Sequence, residues 1–335
     1  MPLQQHCGWI SRCSLTFSGQ QYMKILNRIW LAASMLVLCA ACDKAQDTDF
    51  LYEPTTEIGK TFVDKCQEVA RVFKDTSFVV AVGVEETDLH LQTMEGYVQQ
   101  ICILRIDTNT PGLKVKVAMP YNSNSISDGW RKQTLTDMAA AMDKSRARVV
   151  GMINGDFWNI NTPINPRGPV HRGGTIVSSA WDYNPNVEQQ ALSFVGVGFD
   201  NKMVIAERAK YEEMKTSLKE CTGAGLILLS NGHFSGTEWV ARDPRTAIGY
   251  TDDGIVYFLT ADGRRTFGAA GLTYKEMAYM FQSLDVSGAA NLDGGGSAQF
   301  MVRHPIAQVF QIRNHPADGA ERPVVSGWAV TVDEP

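Results

Sequence analysis

The segment AANLDGGGSAQF, residues 289–300, sets an aspartate, three successive glycines and a serine directly behind a short apolar run. Glycine loses more backbone freedom on folding than any other residue, so three in a row call for a reason. A flexible glycine-serine turn would look the same in isolation. The chemical alternative is that bare backbone lets successive N–H groups turn toward one point and lets a bulky ligand approach, forming a concavity suited to anions. Asp293 would then stand beside that concavity, with Gly294, Gly295, Gly296 and Ser297 lining it. The segment lacks the GK[ST] ending of a phosphate-binding P-loop and the spacing of a dinucleotide fingerprint. Three other stretches use the same few residue types. GMINGDFW brings Asn154, Gly155 and Asp156 ahead of Phe157 and Trp158; ARDPRTAIGY brings Arg242, Asp243 and Arg245; TADGRRTFG brings Asp262, Arg264 and Arg265. Each stretch also has an ordinary reading, as a turn, a solvated ion pair or an aromatic core contact.

The elements that must position these residues are mostly strands. Alternating or apolar runs at 100–106, 113–119, 193–199, 246–250 and 255–260 read as strands, and TDDG (251–254) predicts a hairpin between the last two. VVGMI leads into Asn154 and AANL into Asp293, so both motifs fall at strand ends, where open sheets tend to place ligands. Three helices are predicted. In TYKEMAYMFQSL, Met277, Met280, Phe281 and Leu284 recur at helical spacing, and Thr273 with Glu276 forms a capping box, which gives Glu276 a structural role. TLTDMAAAMDKS (134–145) is the second, with Leu135, Met138 and Met142 on one stripe, and YEEMKTSLKE (211–220) a third, more exposed one. The expected class is α+β: a strand-rich mixed sheet with a few packed helices, in a single domain over residues 56–335.

Taken in order, NGDFW, RDPRTAIG, DGRR, GLTYKEMA and NLDGGGSAQF resemble the phosphodiester glycosidase family over residues 149–332. The resemblance implies cleavage of a sugar from a phosphodiester at the anomeric carbon, with substrates of the GlcNAc-1-phosphodiester kind. It also implies one surface cavity holding Asn154, Gly155, Arg245, Asp262, Arg264, Asp293, Gly294, Gly295, Gly296 and Ser297. Asp156 departs from the family pattern, standing where many members have glycine. The chemistry fits this inventory. Arg245 and Arg264 can grip a phosphodiester bidentately. Amides at Gly294–Gly296 can stabilise charge growing on the departing phosphate. Asp293 is the first choice to serve the anomeric carbon, as nucleophile or as base for water, with Asp262 or Asp156 as partner. Asn154 is expected on a sugar hydroxyl or acetamido group, and Phe157 or Trp158 on a sugar face.

The whole chain carries 31 basic and 36 acidic residues, a net charge of −5. MKILNRIWLAASMLVLCAAC, from Met23, has a basic start, a short apolar run and small residues before Cys42, the pattern of a bacterial secretory signal with a lipidation cysteine. Residues 1–22 read as an upstream extension, 23–41 as the signal and 42–55 as a tether, giving an exported protein held in the bacterial envelope by a lipid on Cys42. Removing residues 1–41 takes three basic residues and no acids, leaving 28 − 36 = −8. An acidic exported chain is a poor nucleic-acid binder, which wants a basic face. Cys66, Cys102 and Cys221 permit one disulfide at most and contain no CxxC metal pair. A monomer with no cofactor is expected, with room left for a single calcium-type ion. Two rival readings are a metal-dependent phosphodiesterase, which the scattered histidines disfavour, and a non-catalytic surface lipoprotein that binds glycan phosphates in the same cavity.

Overall fold

The computed structural model describes residues 52–143, 147–236 and 240–333. The signal, Cys42 and most of the tether lie outside the described residues.

Three antiparallel sheets dominate. The largest has eight strands in the order Val69–Ala81, Val84–Thr93, Val98–Asp107, Ile255–Ala261, Arg245–Tyr250, Gly288–Asn291, Ile227–Ser230 and His233–Phe234. A second runs Met203–Glu207, Ser193–Gly198, Leu218–Ala224, Val170–Arg172 and Thr175–Ser178. The third runs Phe310–Ile312, Phe300–Arg303, Ala147–Asn154, Gly327–Asp333 and Leu113–Ala118. The α+β class and the predicted strands hold. Their pairing is antiparallel within each of these sheets, so the site is not the switch point of a parallel sheet.

The hairpin through residues 251–254 forms as expected, pairing Arg245 with Ala261 and Tyr250 with Val256. The helix Tyr274–Ser283 starts at the predicted capping box and buries Met277, Met280 and Phe281 against the large sheet. It stops where Asp285 turns left-handed, φ 59°. Leu135–Met142 forms the second predicted helix, and its stripe of Leu135, Met138 and Met142 packs on the third sheet. A further helix, Glu57–Lys65, is capped by Thr56 and packs Ile58 and Phe62 beside Met277 and Phe281.

The third predicted helix is corrected. Only Tyr211–Met214 is α-helical, and Leu218–Ala224 is a strand at the centre of the second sheet. Tyr211, fully buried against Phe194 and Trp181, anchors the single turn. Beyond it the β-branched Thr222 favours the pleat, and its pairing on both sides within the sheet fixes the strand.

The sheets meet through a shared apolar layer that includes Leu104, Phe258, Phe300 and Trp328. Trp328 is fully buried and donates its indole N–H to Thr222 Oγ1 at 3.0 Å, tying the second sheet to the third. Each buried aromatic or aliphatic side chain contributes about 1.5–3 kcal/mol, so the core does not need covalent staples. Cys66, Cys102 and Cys221 are all buried and unbridged.

Candidate active site

The triple-glycine corner follows the strand Gly288–Asn291, and each of its glycines lies in close approach to a neighbouring residue. A Cβ on Gly294 would lie 2.5 Å from the Pro244 carbonyl oxygen, and one on Gly295, where φ is +59°, would lie 2.7 Å from an Arg264 guanidinium nitrogen. At Gly296 a Cβ would collide with Arg322 and Asp318. The glycines therefore let the chain slide beneath two arginines and against the Asp243–Pro244 backbone.

The expected amide cradle is largely spent on the protein itself. Gly294 N–H donates to Asp293 Oδ1 at 2.9 Å, and Gly295 N–H donates to the Pro244 carbonyl at 2.9 Å. These bonds fix the aspartate and the corner. The positive charge nearby comes instead from Arg264 and Arg322.

Asn154 is fully buried and holds the corner from behind. Its Nδ2 donates to the Asp293 carbonyl at 2.6 Å, while its Oδ1 accepts from Thr246 Oγ1 at 2.7 Å and from Gln299 N–H at 3.0 Å. With both ends occupied, it positions Asp293 rather than binding sugar. Gly155 extends the join: its carbonyl accepts from Asp293 N–H, and its N–H donates to the Ser326 carbonyl. A Cβ there would lie 2.6 Å from Ser326 Oγ.

Asp293 itself is only partly exposed. Desolvation is the main cause that lifts its pKa to about 6, opposed by the Ser297 hydroxyl, the Gly294 amide, Arg322 and Trp158. The Trp158 indole N–H influences Asp293 without reaching strict hydrogen-bond geometry with any partner. Asp156 is 2% exposed. Burial raises its pKa to about 8; the Gly168 N–H, donating to Oδ2 at 2.7 Å, opposes this, and the charge of Asp293 adds to it. Asp156 Oδ1 has no hydrogen-bond partner, and the same is true of Asn291 Oδ1 and Gln299 Oε1 close along the chain to the corner. Buried polar atoms are rarely left unpaired.

Asp262 belongs to a different constellation. It is 2% exposed and accepts from His315 N–H at 2.9 Å, from Asn314 Nδ2 at 3.2 Å, and pairs with His315 Nδ1 at 2.8 Å. Burial raises its pKa against these bonds. Asn314 Nδ2 also donates to the Ala298 carbonyl, which links the Asp262–His315 pair to the glycine corner. The His315 ring lies 4.1 Å from that of Phe267, which is 74% exposed on a loop where Arg264, Arg265 and Phe267 all take left-handed φ. Such conformations cost of order 1–3 kcal/mol each and cluster at functional sites.

The two expected phosphate-gripping arginines divide. Arg264 is half exposed and forms a two-point ion pair with Asp243, Nε to Oδ1 at 2.8 Å and Nη2 to Oδ2 at 3.2 Å. Arg245 is corrected. It is 4% exposed and its donors go to the Leu272 carbonyl, Tyr274 hydroxyl, Gln189 Oε1 and the Ala241 carbonyl. It braces Tyr274 and the 241–244 segment. Its place beside the glycines is taken by Arg322, whose Nε donates to Asp318 Oδ2 at 2.7 Å and whose Nη1 is 3.4 Å from Ser297 Oγ. Phe157 and Trp158, at 4% and 8% exposure, present no open face to a sugar. Arg242 and Glu276 form an internal salt bridge at 2.7 Å, in keeping with the structural role of Glu276. Among the described residues no three His, Cys, Asp or Glu side chains gather as a metal-holding group.

The profile of the phosphodiester glycosidase family matches residues 147–331, more than half of the chain, a span that includes Asn154, Asp156, Asp262, Asp293 and Arg322. The chain belongs to the phosphodiester glycosidase family. It is 41% identical over 63 residues to mouse N-acetylglucosamine-1-phosphodiester alpha-N-acetylglucosaminidase, and 35% identical over 98 residues to an uncharacterised SPbeta prophage-derived protein of Bacillus subtilis. Those matches take in 19% and 28% of this chain but only 12% and 14% of the relatives' own lengths. The fold is shared with the zebrafish N-acetylglucosamine-1-phosphodiester alpha-N-acetylglucosaminidase catalytic domain, solved auto-inhibited by its pro-peptide, at TM-score 0.56 and 16% identity, covering 87% of this chain and 99% of that one. A putative exported protein from Burkholderia pseudomallei superposes at TM-score 0.56 and 13% identity, covering 84% and 99%.

Proposed function

We propose that this phosphodiester glycosidase cleaves the anomeric C–O bond of sugar-1-phosphodiesters, with Asp293 as the nucleophile. The observation that carries this reading is the placing of Asp293: a partly exposed carboxylate fixed at its backbone by Asn154 and Gly155, with Arg264 and Arg322 against the adjoining glycines. Its pKa is raised to about 6, and its charge helps to raise that of the buried Asp156 to about 8. At neutral pH such a pair holds one proton, mostly on Asp156, leaving Asp293 ionised and aimed from an open side. In this reading the two acids are the closely spaced pair of a retaining enzyme.

In this mechanism an Asp293 carboxylate oxygen bonds to the anomeric carbon as the C–O bond to phosphate breaks. The electron pair leaves on the phosphate oxygen, and Asp156 supplies its proton there. Water then attacks the same carbon, gives a proton back to Asp156, and frees Asp293. Arg264 and Arg322 hold the phosphate through charge-assisted hydrogen bonds, each worth about 1.5–3 kcal/mol. Phe267 supplies the exposed aromatic face for the sugar. Export and lipid anchoring through Cys42 would set this chemistry against glycans of the bacterial envelope.

Hydrolysis in oxygen-18 water tests the bond that breaks. With rapid quenching and mass spectrometry the label is expected on the sugar. Label on the phosphate would make the protein a phosphodiesterase, and binding without turnover across a panel of diesters would make it a glycan-phosphate binder.

A further inference from the structure

We propose that Asp243 and Asp318 act as a charge filter at the glycine corner: they admit a singly charged phosphodiester and reject the doubly charged phosphomonoester that cleavage leaves behind. This rests on the reading that Arg264 and Arg322 hold the substrate phosphate. Each of those arginines reaches the corner with a carboxylate already attached. Arg264 donates from Nε and Nη2 to the two oxygens of Asp243. Arg322 donates from Nε to Asp318 Oδ2 at 2.7 Å, and its Nη2 lies 2.7 Å from the same oxygen. The two pairs are neighbours. A Cβ on Gly295 would meet Arg264 Nη2, with Asp243 Oδ2 at 3.5 Å, and one on the next residue, Gly296, would meet both Arg322 and Asp318. The Asp318 charge also helps to raise the Arg264 pKa. All four side chains are partly exposed, so an incoming anion can reach them.

Both carboxylates are held in place from their backbones. A Cβ on Gly263 or Gly271 would strike the Asp243–Pro244 main chain, and Asp243 is bridged to Leu272. Asp318 sits in a turn closed by the Gly319 N–H, which donates to the Pro316 carbonyl at 2.9 Å. The segment carrying Asp318 and Arg322 is tied down on either side of the arginine. Glu321 accepts from the Thr136 backbone N–H at 3.0 Å and from its hydroxyl at 2.6 Å, and Val324 bridges Gln133.

Charge balance decides what can stay bound. The two guanidinium charges are matched by the two carboxylates, and ionised Asp293 adds a negative charge that Arg322 also feels. Each arginine keeps its Nη1 clear of the carboxylates; that of Arg322 lies 3.4 Å from Ser297 Oγ. A phosphodiester offers two unsubstituted oxygens and one negative charge, which suits those two nitrogens. A phosphomonoester brings a third such oxygen and a second charge, with no guanidinium charge left to match them. Cleavage makes that change in place. The C–O bond breaks, and its electron pair and the Asp156 proton go to the phosphate oxygen. The resulting monoester then gives up a proton to water, with a second pKa near 6. The carboxylates that tolerate the substrate therefore repel the product.

The test is binding of dimethyl phosphate and methyl phosphate to the full protein near pH 7.5, where the first carries one charge and the second mostly two. Phosphorus NMR reads both ligands without turnover. Wild type should bind dimethyl phosphate the more tightly. Asp318→Asn should tighten methyl phosphate about tenfold and dimethyl phosphate no more than about threefold, because the dianion feels the lost carboxylate twice as strongly. Asp243→Asn should shift the ratio in the same direction. Asp318→Glu keeps the charge and should leave the ratio within about twofold of wild type. Methyl phosphate should also inhibit turnover of a sugar phosphodiester more strongly in Asp318→Asn than in wild type. A ratio unmoved by both Asn variants, or moved as far by Asp318→Glu as by Asp318→Asn, would overturn the proposal and leave the arginines as phosphate holders. A wild type that binds neither ligand would remove that role from the arginines, and the filter with it.

Discussion

Two carboxylates, Asp262 buried and Asp293 partly exposed, stand at the ends of two strands of the large sheet separated by Arg245–Tyr250, and they have different surroundings. Asp262 is satisfied: the His315 backbone, the His315 ring and Asn314 all bond to it. Asp293 is held by the amide of the very next residue, and the Ser297 hydroxyl and Trp158 indole also favour its charged form, yet it stays partly exposed, while Asp156 has an oxygen with no hydrogen-bond partner. Both environments are desolvated and both pKa values are raised. What separates them is access: Asp262 is 2% exposed, whereas Asp293 keeps a partly exposed side. A carboxylate closed off by its partners is a strut; one fixed at its backbone and reachable from outside can react. Cleft size is a poorer guide. A cleft of about 440 Å³ lies at the far end of the same hairpin, around Tyr250 and Asp253, where the acids are exposed and engaged in ordinary turn bonds.

The contrast breaks most sharply at Asp293. Asp293→Asn is expected to lower kcat at least ~10³-fold while a phosphate-bearing ligand binds within about tenfold of wild type, the signature of a group acting in the transition state. Asp262→Asn, by contrast, should lower kcat less than about tenfold. Steady-state kinetics on both variants with one sugar phosphodiester makes the comparison, and equal losses would erase it.

Asp156→Asn should lower kcat about 10²-fold, as expected for a lost general acid, and abolish the alkaline limb of the pH profile near 8. It should also stabilise the fold. The pKa of Asp156 is raised from 3.8 to about 8, so its burial favours folding below pH 4 and that advantage is lost progressively up to pH 8. The variant's melting temperature should therefore match wild type near pH 4 and exceed it by roughly 10–20 °C at pH 9. A constant difference across that range would contradict the assignment.

Arg322→Met should raise KM about 10–100-fold through loss of a charge-assisted contact, and should move the acid limb upward, because Arg322 lowers the Asp293 pKa. Arg245→Met should instead lower the melting temperature with a smaller change in KM, since its donors bond only to the protein. The smallest effect is expected at Gly296→Ala, where the added Cβ meets the flexible end of Arg322. A threefold rise in KM with unchanged melting temperature is expected there, whereas Gly294→Ala, which meets the Pro244 backbone oxygen, should destabilise measurably.

Much of this was legible along the chain. The strand ends carrying Asn154, Asp262 and Asp293, the hairpin, and the capping box at Thr273 all follow from local pattern. What the pattern does not carry is which residues meet across distance. Asn154 reaches Asp293 over 139 positions because Gly155 and Asp293 are joined backbone to backbone, and no periodicity encodes that join. Arg245 looked free because an arginine at a strand start is usually solvated; Tyr274, Leu272 and Ala241 close over it only in the assembled sheet. Arg322 and His315 lie in ordinary loop sequence, and the one available signal was a charged residue just before the Pro-Val-Val run that opens the last strand. The choice between Asp156 and Asp262 as partner likewise needed the fold. Asp156, the departure from the family pattern, is the one that feels the charge of Asp293.

Carbon-13 titration of aspartate side-chain carboxyls tests the one-proton pair without relying on turnover. Beside the raised titration of Asp262, wild type should show two further displaced titrations, near pH 6 and pH 8, and Asp293→Asn should remove the lower of these two and move the upper one down. Two buried aspartates titrating independently near pH 4, or an upper titration that ignores Asp293→Asn, would contradict the account.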